Sequence, residues 1–276
     1  MGIINAMPDY IPDPFAGIST VLSENTPEQI KIVADASLGE TYWNIGDCTA
    51  PIIISASEEL PNFTPPEEGV CAFIIGFDHN SSIEGTGIHF QFGKVNGDNY
   101  AFTDNGYDEE KTSGVWFFMK TYDSNVSGWR GSNMRQTVCP AFYNMLPNEW
   151  KNVITLCKKY TDNTGNANEA AYSITDTSDY IWLLSEKEQK INATGGAAFS
   201  NMYEYQYQEI YAYYQNGNSR AVLNSTGSSY IIWWLRSPHK TDARFICAYS
   251  ADMYMIPVSN KSYGFRPCFK VGGSDA

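Results

Sequence analysis

Two short segments near the C-terminus, Trp233-Trp234-Leu235-Arg236-Ser237-Pro238 and Gly264-Phe265-Arg266-Pro267-Cys268-Phe269, restrict the fold most. Each sets bulky aromatic residues close to an arginine and includes a proline, which a helix interior rejects because proline lacks an N–H and its ring meets the preceding turn. The first reads as a strand running into a turn, the second as the start of another strand. Arginines so enclosed lie against aromatic faces or bond to carbonyls and carboxylates. Trp233, Trp234, Arg236 and Arg266 are therefore expected to hold structure in place rather than to react.

Period and capping signals order the rest of the chain. Residues 1–25 are rich in Pro, Asp, Asn and Ser and read as an extended arm, with Phe15, Ile18 and Leu22 available to dock. Thr26 as N-cap, Pro27 at the first helical position and Gln29 closing a capping box predict a short helix that stops before Gly39. Its Ile30, Val33 and Ala34 share the face that packs on the main body or on a sister subunit. Residues 51–55, 70–77 and 88–95 are strand-like, the last alternating Ile88, Phe90 and Phe92 with His89 and Gln91. Helices are expected over 134–145 and 147–160, the second ending at Lys158-Lys159, where cations favour the helix dipole. A buried strand follows at 180–184, then a Ser185/Glu188 capping box that starts a short helix. Tyr203, Tyr207, Ile210, Tyr211 and Tyr214 recur at helical spacing and predict one packed helix face. Strands return at 230–235, 244–249, 253–258 and 264–271. No repeat or linker divides residues 40–276, so the expected organisation is an N-terminal arm and helix, residues 1–39, followed by one α+β domain.

Composition narrows the chemistry. Only 18% of the residues are charged, against 14% aromatic, so the surface depends on Asn, Ser, Thr and Tyr, the palette of adaptable binding surfaces. The net charge of −13 repels phosphate backbones, and nucleic acid is not an expected partner. The first residues have no basic start and no apolar run before Pro8, which predicts a chain without a signal peptide, made in a cytoplasm. No stretch approaches the roughly 18 apolar residues of a membrane span, so insertion is not expected. Six cysteines without CxxC pairing read as reduced, buried hydrophobes and not as zinc ligands. A Cys247–Cys268 bridge is left open.

Catalytic signatures are missing from the pattern. Three histidines leave little room for imidazole chemistry, no serine sits in a Gly-x-Ser-x-Gly elbow, and the glycine pairs lack the lysine of a phosphate cradle. Asp78-His79 reads as a strand-end turn. Asp104, Asp108, Glu109 and Glu110 form the densest acidic cluster, but their spacing does not match a calcium-binding EF-hand and predicts a solvated loop. The expectation is a non-enzyme without cofactor or metal.

The ordered set Tyr42-Trp43-Asn44-Ile45-Gly46-Asp47, Ile74-Ile75-Gly76-Phe77-Asp78-His79, Gly128-Trp129-Arg130-Gly131-Ser132-Asn133-Met134-Arg135, Ile181-Trp182-Leu183-Leu184-Ser185-Glu186 and the two arginine motifs resembles a domain family of bacteria and their tailed phages that is named for its unknown function. The likeness runs from about residue 31 to 272. The aromatic–arginine strand followed by a closing Gly-Phe-Arg strand is also similar, over 230–271, to the C-type-lectin-like fold of formylglycine-generating enzymes and phage tropism determinants. That similarity implies a mixed fold with short helices, a twisted antiparallel sheet and long loops. The enzymes' cysteine chemistry is not carried over, because Cys247 and Cys268 lack the surrounding pattern. In tropism proteins the ligand-contacting residues precede the final strand, and the matching positions here are Tyr249, Asp252, Tyr254, Asn260 and Tyr263.

These readings converge on a non-enzymatic phage virion protein, a tail, head-fibre or decoration component that recognises a host-surface glycan or protein. Residues 1–39 would join it to other virion proteins or to sister chains, with a homotrimer expected. The competing expectations are a glycan-active enzyme using a carboxylate pair, and a bacterial carbohydrate- or peptide-binding module.

Overall fold

A computed structural model describes residues 13–95, 97–165, 169–190, 200–224, 229–249, 254–255 and 258–274. In chain order the elements are α1 (Pro27–Asp35), α2 (Gly39–Tyr42), β1 (Cys71–Phe77), α3 (Ser81–Glu84), β2 (Ile88–Val95), β3 (Asp98–Asn99), α4 (Cys139–Met145), α5 (Asn148–Lys151), β4 (Ile154–Thr155), β5 (Cys157–Asp162), β6 (Ile174–Asp179), α6 (Ala212–Gln215), β7 (Val222–Leu223), β8 (Tyr230–Ile231), β9 (Trp233–Pro238), β10 (Phe245–Ala248), β11 (Tyr254–Met255) and β12 (Cys268–Val271). The fold is mixed α+β, with short helices and several antiparallel sheets. The largest has the order β1-β2-β12-β4, with β3 paired to β2; β9, β10 and β11 form a second sheet, and β5–β6 and β7–β8 are two-stranded ribbons.

The N-terminal helix forms as its sequence dictates. Thr26 and Gln29 exchange side-chain-to-backbone hydrogen bonds in a capping box, and Pro27 opens the first turn. At the other end Ser37, at φ 52°, takes the left-handed position, and the Leu38 amide bonds back to the Val33 carbonyl. Gly39 is therefore not the stop. It is small because Phe77 crosses it: a Cβ there would lie 2.4 Å from the Phe77 ring. Ile30, Val33 and Ala34 are buried in the same core as Leu22, Trp43 and the sheet residues Phe90, Phe269 and Val271. Residues 22–39 thus pack on their own body, and Asp35 accepts from the Gly273 amide beside the end of β12. Residues 1–12 lie outside the described set.

The alternation of β2 survives, but both of its faces are covered. Phe90 and Phe92 enter the aromatic core against Phe269, Phe102 and Phe142. His89 and Gln91, on the opposite face, are also wholly buried, under Tyr211 and Tyr214, to whose hydroxyls they bond. β9 divides its side chains in the same way. Trp233 and Leu235 join a small cluster with Val222, Ile231 and Ile246, while Trp234 belongs to the main core.

Four expectations change. Residues 147–160 are not one helix: α5 lasts a single turn, β4 pairs with β12, and β5 pairs along its length with β6. The apolar positions fit either period over so short a run, and inward alternation of Cys157, Lys159 and Thr161 prevails. The 203–214 run is also broken, into a 3-10 turn at Met202–Gln206 and α6, because the Tyr211 amide bonds to the Glu188 carbonyl across the fold. Residues 180–184 are buried except at Tyr180, and they touch the sheet through one bridge, Trp182 with Cys268, rather than as a full strand. Residues 51–55 likewise pair only at Ile52.

Gly93, inside β2, adopts φ 119°, and its carbonyl accepts from the Tyr100 amide. A Cβ there would fall 2.1 Å from the Tyr100 carbonyl oxygen. Gly93→Ala is expected to cost roughly 2 kcal/mol or more and to lower the melting temperature by several degrees, read by circular dichroism.

Candidate functional site

The densest group of chemically capable side chains lies where β9 crosses β5. Arg236, on β9, donates from two guanidinium nitrogens to both carboxylate oxygens of Glu188, and further to Thr161 Oγ1 (2.8 Å) and the Leu183 carbonyl (2.9 Å). Glu188 is placed by the capping box read from the sequence: the Ser185 amide donates to its carboxylate, and its amide donates to Ser185 Oγ. Lys159 comes from β5, one of the inward positions of that strand. Its ammonium donates to Glu188 Oε1 (3.1 Å), to Glu84 Oε2 and to the Tyr211 hydroxyl (2.8 Å), beneath the Trp182 ring. Glu84 ends α3. His89 Nδ1 lies 2.9 Å from the same Tyr211 hydroxyl, and His79 stacks on the Tyr211 ring at 3.6 Å.

All of these groups are buried. Within the chain Arg236–Glu188–Lys159–Glu84 two carboxylates and two cations alternate, so each ion faces an opposite charge, which is the condition under which buried ions are tolerated. Burial raises the Glu84 carboxyl despite Lys159 beside it. For Glu188 burial is outweighed by Arg236 and Lys159, which hold it well below the usual carboxylate range. Burial opposes the Lys159 ammonium too, but Cys157, Glu188 and Glu84 together keep its pKa above the ordinary value. His79 falls to about 3, by burial and then by the Lys159 charge, and His89 is lowered by the same two causes. Both imidazoles are neutral, and Nε2 of each has no hydrogen-bond partner.

Two triads here, Glu84/His89/Cys157 and His79/Glu84/Glu188, have ligand atoms close enough for a metal. The Lys159 ammonium already occupies the space between the carboxylates. A dication about 4 Å from it would meet a repulsion on the order of 8 kcal/mol at the effective dielectric of such sites. The donor set fits a lysine, not a metal. The clefts at residues 34–88, 20–71, 64–105 and 135–181 are lined by none of these side chains.

The sequence-derived residues fall into two groups. Trp233, Trp234, Arg236 and Arg266 are fully buried; Arg266 lies between the Phe73 and Trp233 rings, at 5.0 and 5.4 Å, and bonds to Asn99. Of the loop positions, Tyr263 is 5% exposed and its hydroxyl donates to Asp108; Asn260 is buried, and Tyr249 is half-buried against the core. Asp252 and the Tyr254 side chain lie outside the described residues. The acidic cluster is internally engaged: Asp104 accepts from the Gly106 and Phe117 amides and from Ser262, Asp108 pairs with Lys261, and Glu109 pairs with Lys111. All six cysteines are free thiols, and Cys247 and Cys268 sit in different sheets. No helix among the described residues is long and apolar enough to cross a membrane.

The model of a domain of unknown function, DUF6273, matches residues 113–273, more than half of the chain. The chain belongs to the DUF6273 family. No curated protein and no solved structure matches it. The DUF6273 segment supplies Lys159, Glu188, Tyr211 and Arg236, whereas Glu84 and the two histidines come from residues before it. The ionic cluster therefore joins the family segment to the preceding β1–β2 hairpin.

Two experiments test this account. Glu188→Gln leaves the buried cations in excess, Arg236→Met leaves the carboxylates in excess, and each is expected to cost about 3–5 kcal/mol. The double variant restores balance between Lys159 and Glu84, so urea unfolding should show it well above the sum of the two losses. The second concerns pH. Glu204, buried next to the cluster, has its carboxyl raised to about 8, chiefly by burial. Between its ordinary value of 4.5 and about 8 the folded chain holds a proton that the unfolded chain has lost, so stability declines as pH rises through that window. His79 does the opposite: stability is lost as pH falls from 6.5 towards 3, because only the unfolded chain takes up the proton. Melting temperatures across pH should thus fall on both sides, and Glu204→Gln should flatten the alkaline limb alone.

Proposed function

We propose that the chain is a non-catalytic recognition module, carried on a phage virion as a tail, head-fibre or decoration component and directed at a host-surface glycan or protein. The observation that carries this reading is the separation of chemistry from surface. The strongly perturbed ionisable groups around Arg236 are sealed and mutually bonded, whereas Tyr122, Tyr172, Tyr180, Tyr207 and Tyr230 are exposed. A glycosidase would need its carboxylate pair to face a substrate cleft, and Glu84 and Glu188 face Lys159 instead. Exposed tyrosines provide large, stiff, amphipathic contact area at low entropic cost.

A lectin-like arrangement is supported by the chain path. The final strand β12 returns to lie against β2, and the smaller β9–β11 sheet precedes it. In a symmetric oligomer, with a trimer as the expected form, repeated display would turn weak single-site affinity into avidity.

Fluorescently labelled protein should bind saturably to cell envelopes from a subset of bacterial hosts without releasing reducing sugar. Loss of the envelope carbohydrate by periodate treatment would assign the receptor to a glycan, and protease sensitivity would assign it to a protein. Absence of binding across a broad host panel would overturn the recognition role.

A further inference from the structure

Between α4 and the end of β6 lies an open cleft of about 310 Å³, at the small end of the range for ligand sites. One wall is aromatic. Tyr143 and Tyr180 stack at 4.8 Å with their planes 14° apart, and the Tyr143 hydroxyl is fixed on the Lys151 carbonyl. Tyr180 nevertheless stays 42% exposed, and Leu156 beside it 40%. Pro140 contributes a further apolar edge. At the cleft's polar end Arg135 Nε lies 2.8 Å from Asp179 Oδ1. The pair is largely shielded and firmly held, since Asp179 Oδ2 also accepts from Trp129 Nε1 and Thr177 Oγ1. Arg135 Nε is buried and has no well-directed hydrogen-bond acceptor, so only the outer guanidinium nitrogens are available to a ligand.

The geometry points to a binding site for a neutral pyranose at this cleft, which rests on the recognition role above and gives it a ligand class and a place. Three features select that chemistry. The arginine and aspartate cancel in charge, so an ionic ligand gains nothing from the site. The outer guanidinium nitrogens of Arg135 and the Asp179 Oδ1 lone pairs set N–H donors beside a carboxylate acceptor, the complement of two adjacent hydroxyls that each donate and accept. The exposed tyrosine offers a flat apolar face for the C–H side of a sugar ring. An apolar peptide side chain could use Tyr180 and Leu156, but it would desolvate the partly exposed Arg135–Asp179 pair without giving it a hydrogen bond in return. The elements behind the cleft are a helix and a ribbon, so the site is preorganised.

The test uses the full chain. Neutral glucose, galactose and N-acetylglucosamine oligomers, with sialyllactose as anionic control, are titrated by calorimetry and saturation-transfer NMR. At least one neutral oligomer should bind, with affinity reduced by about tenfold or more in Tyr180→Ala, an exposed position whose loss leaves the core intact. Asp179→Asn, which uncovers the Arg135 charge, should move preference towards sialyllactose. Binding only to long envelope polysaccharide, still lost in Tyr180→Ala, assigns the site to a polymer; binding of short oligomers assigns it to free sugar. No neutral saccharide bound, equal binding by Tyr180→Ala, or selection of apolar peptides that compete at Tyr180 would each overturn the proposal. Envelope binding that survives Tyr180→Ala removes this cleft from the recognition role and leaves that role standing.

Discussion

The Arg236–Glu188–Lys159–Glu84 chain is the interaction on which the rest of the molecule depends. Isolated charges at this depth would cost several kcal/mol each, and the fold is tenable only because four elements deliver opposite charges to one point. β9 brings the guanidinium, the turn after Ser185 brings one carboxylate, β5 the ammonium and α3 the other carboxylate. None of these elements is long enough to be stable alone. Their mutual placement is fixed by partners that accept no other register, which suits a chain with little regular secondary structure.

Aromatic packing completes what the ions begin. Arg266 is held between two rings much as Lys159 is held beneath Trp182, and it too reaches the polar layer over β2, through the Tyr214 hydroxyl, so the second arginine motif works by the same physics. The main sheet is consequently covered on both faces, one by phenylalanines and the other by a polar layer whose hydroxyls and amides are bonded to one another. Such a layer fixes orientation more strictly than apolar contact, since a misplaced donor is costly.

Local signals are legible in the sequence where they are complete within a few residues. The Thr26/Gln29 and Ser185/Glu188 boxes, the strand at 88–95 and the enclosure of Arg236 all belong to this class. Long-range partnerships were not legible. Lys159 sits beside Lys158 in a short run compatible with a helix end, and nothing near it announces that Glu84, 75 positions earlier, will meet its ammonium. Tyr211 looked like one member of a helical stripe because spacing does not reveal that its amide is committed to Glu188. Tyr263 and Asn260 have the composition of a binding loop, yet their neighbours Asp108 and Lys111 draw them inward. The cleft at Tyr180 was invisible for the same reason: its two walls come from segments that look unremarkable until the ribbon β5–β6 folds against α4.

The position of β2 has a bearing on how the family should be delimited. This strand lies between β1 and β12, and it precedes residue 113, where the DUF6273 match begins. A fragment cut to the matched segment would present β12 with an open edge and Lys159 with half its anionic partners. The segment defined by sequence likeness therefore shares its main sheet and its buried ion chain with the residues before it. Boundaries drawn for expression, or for comparing members of the family, belong upstream of α1, where the first buried side chains of the shared core begin.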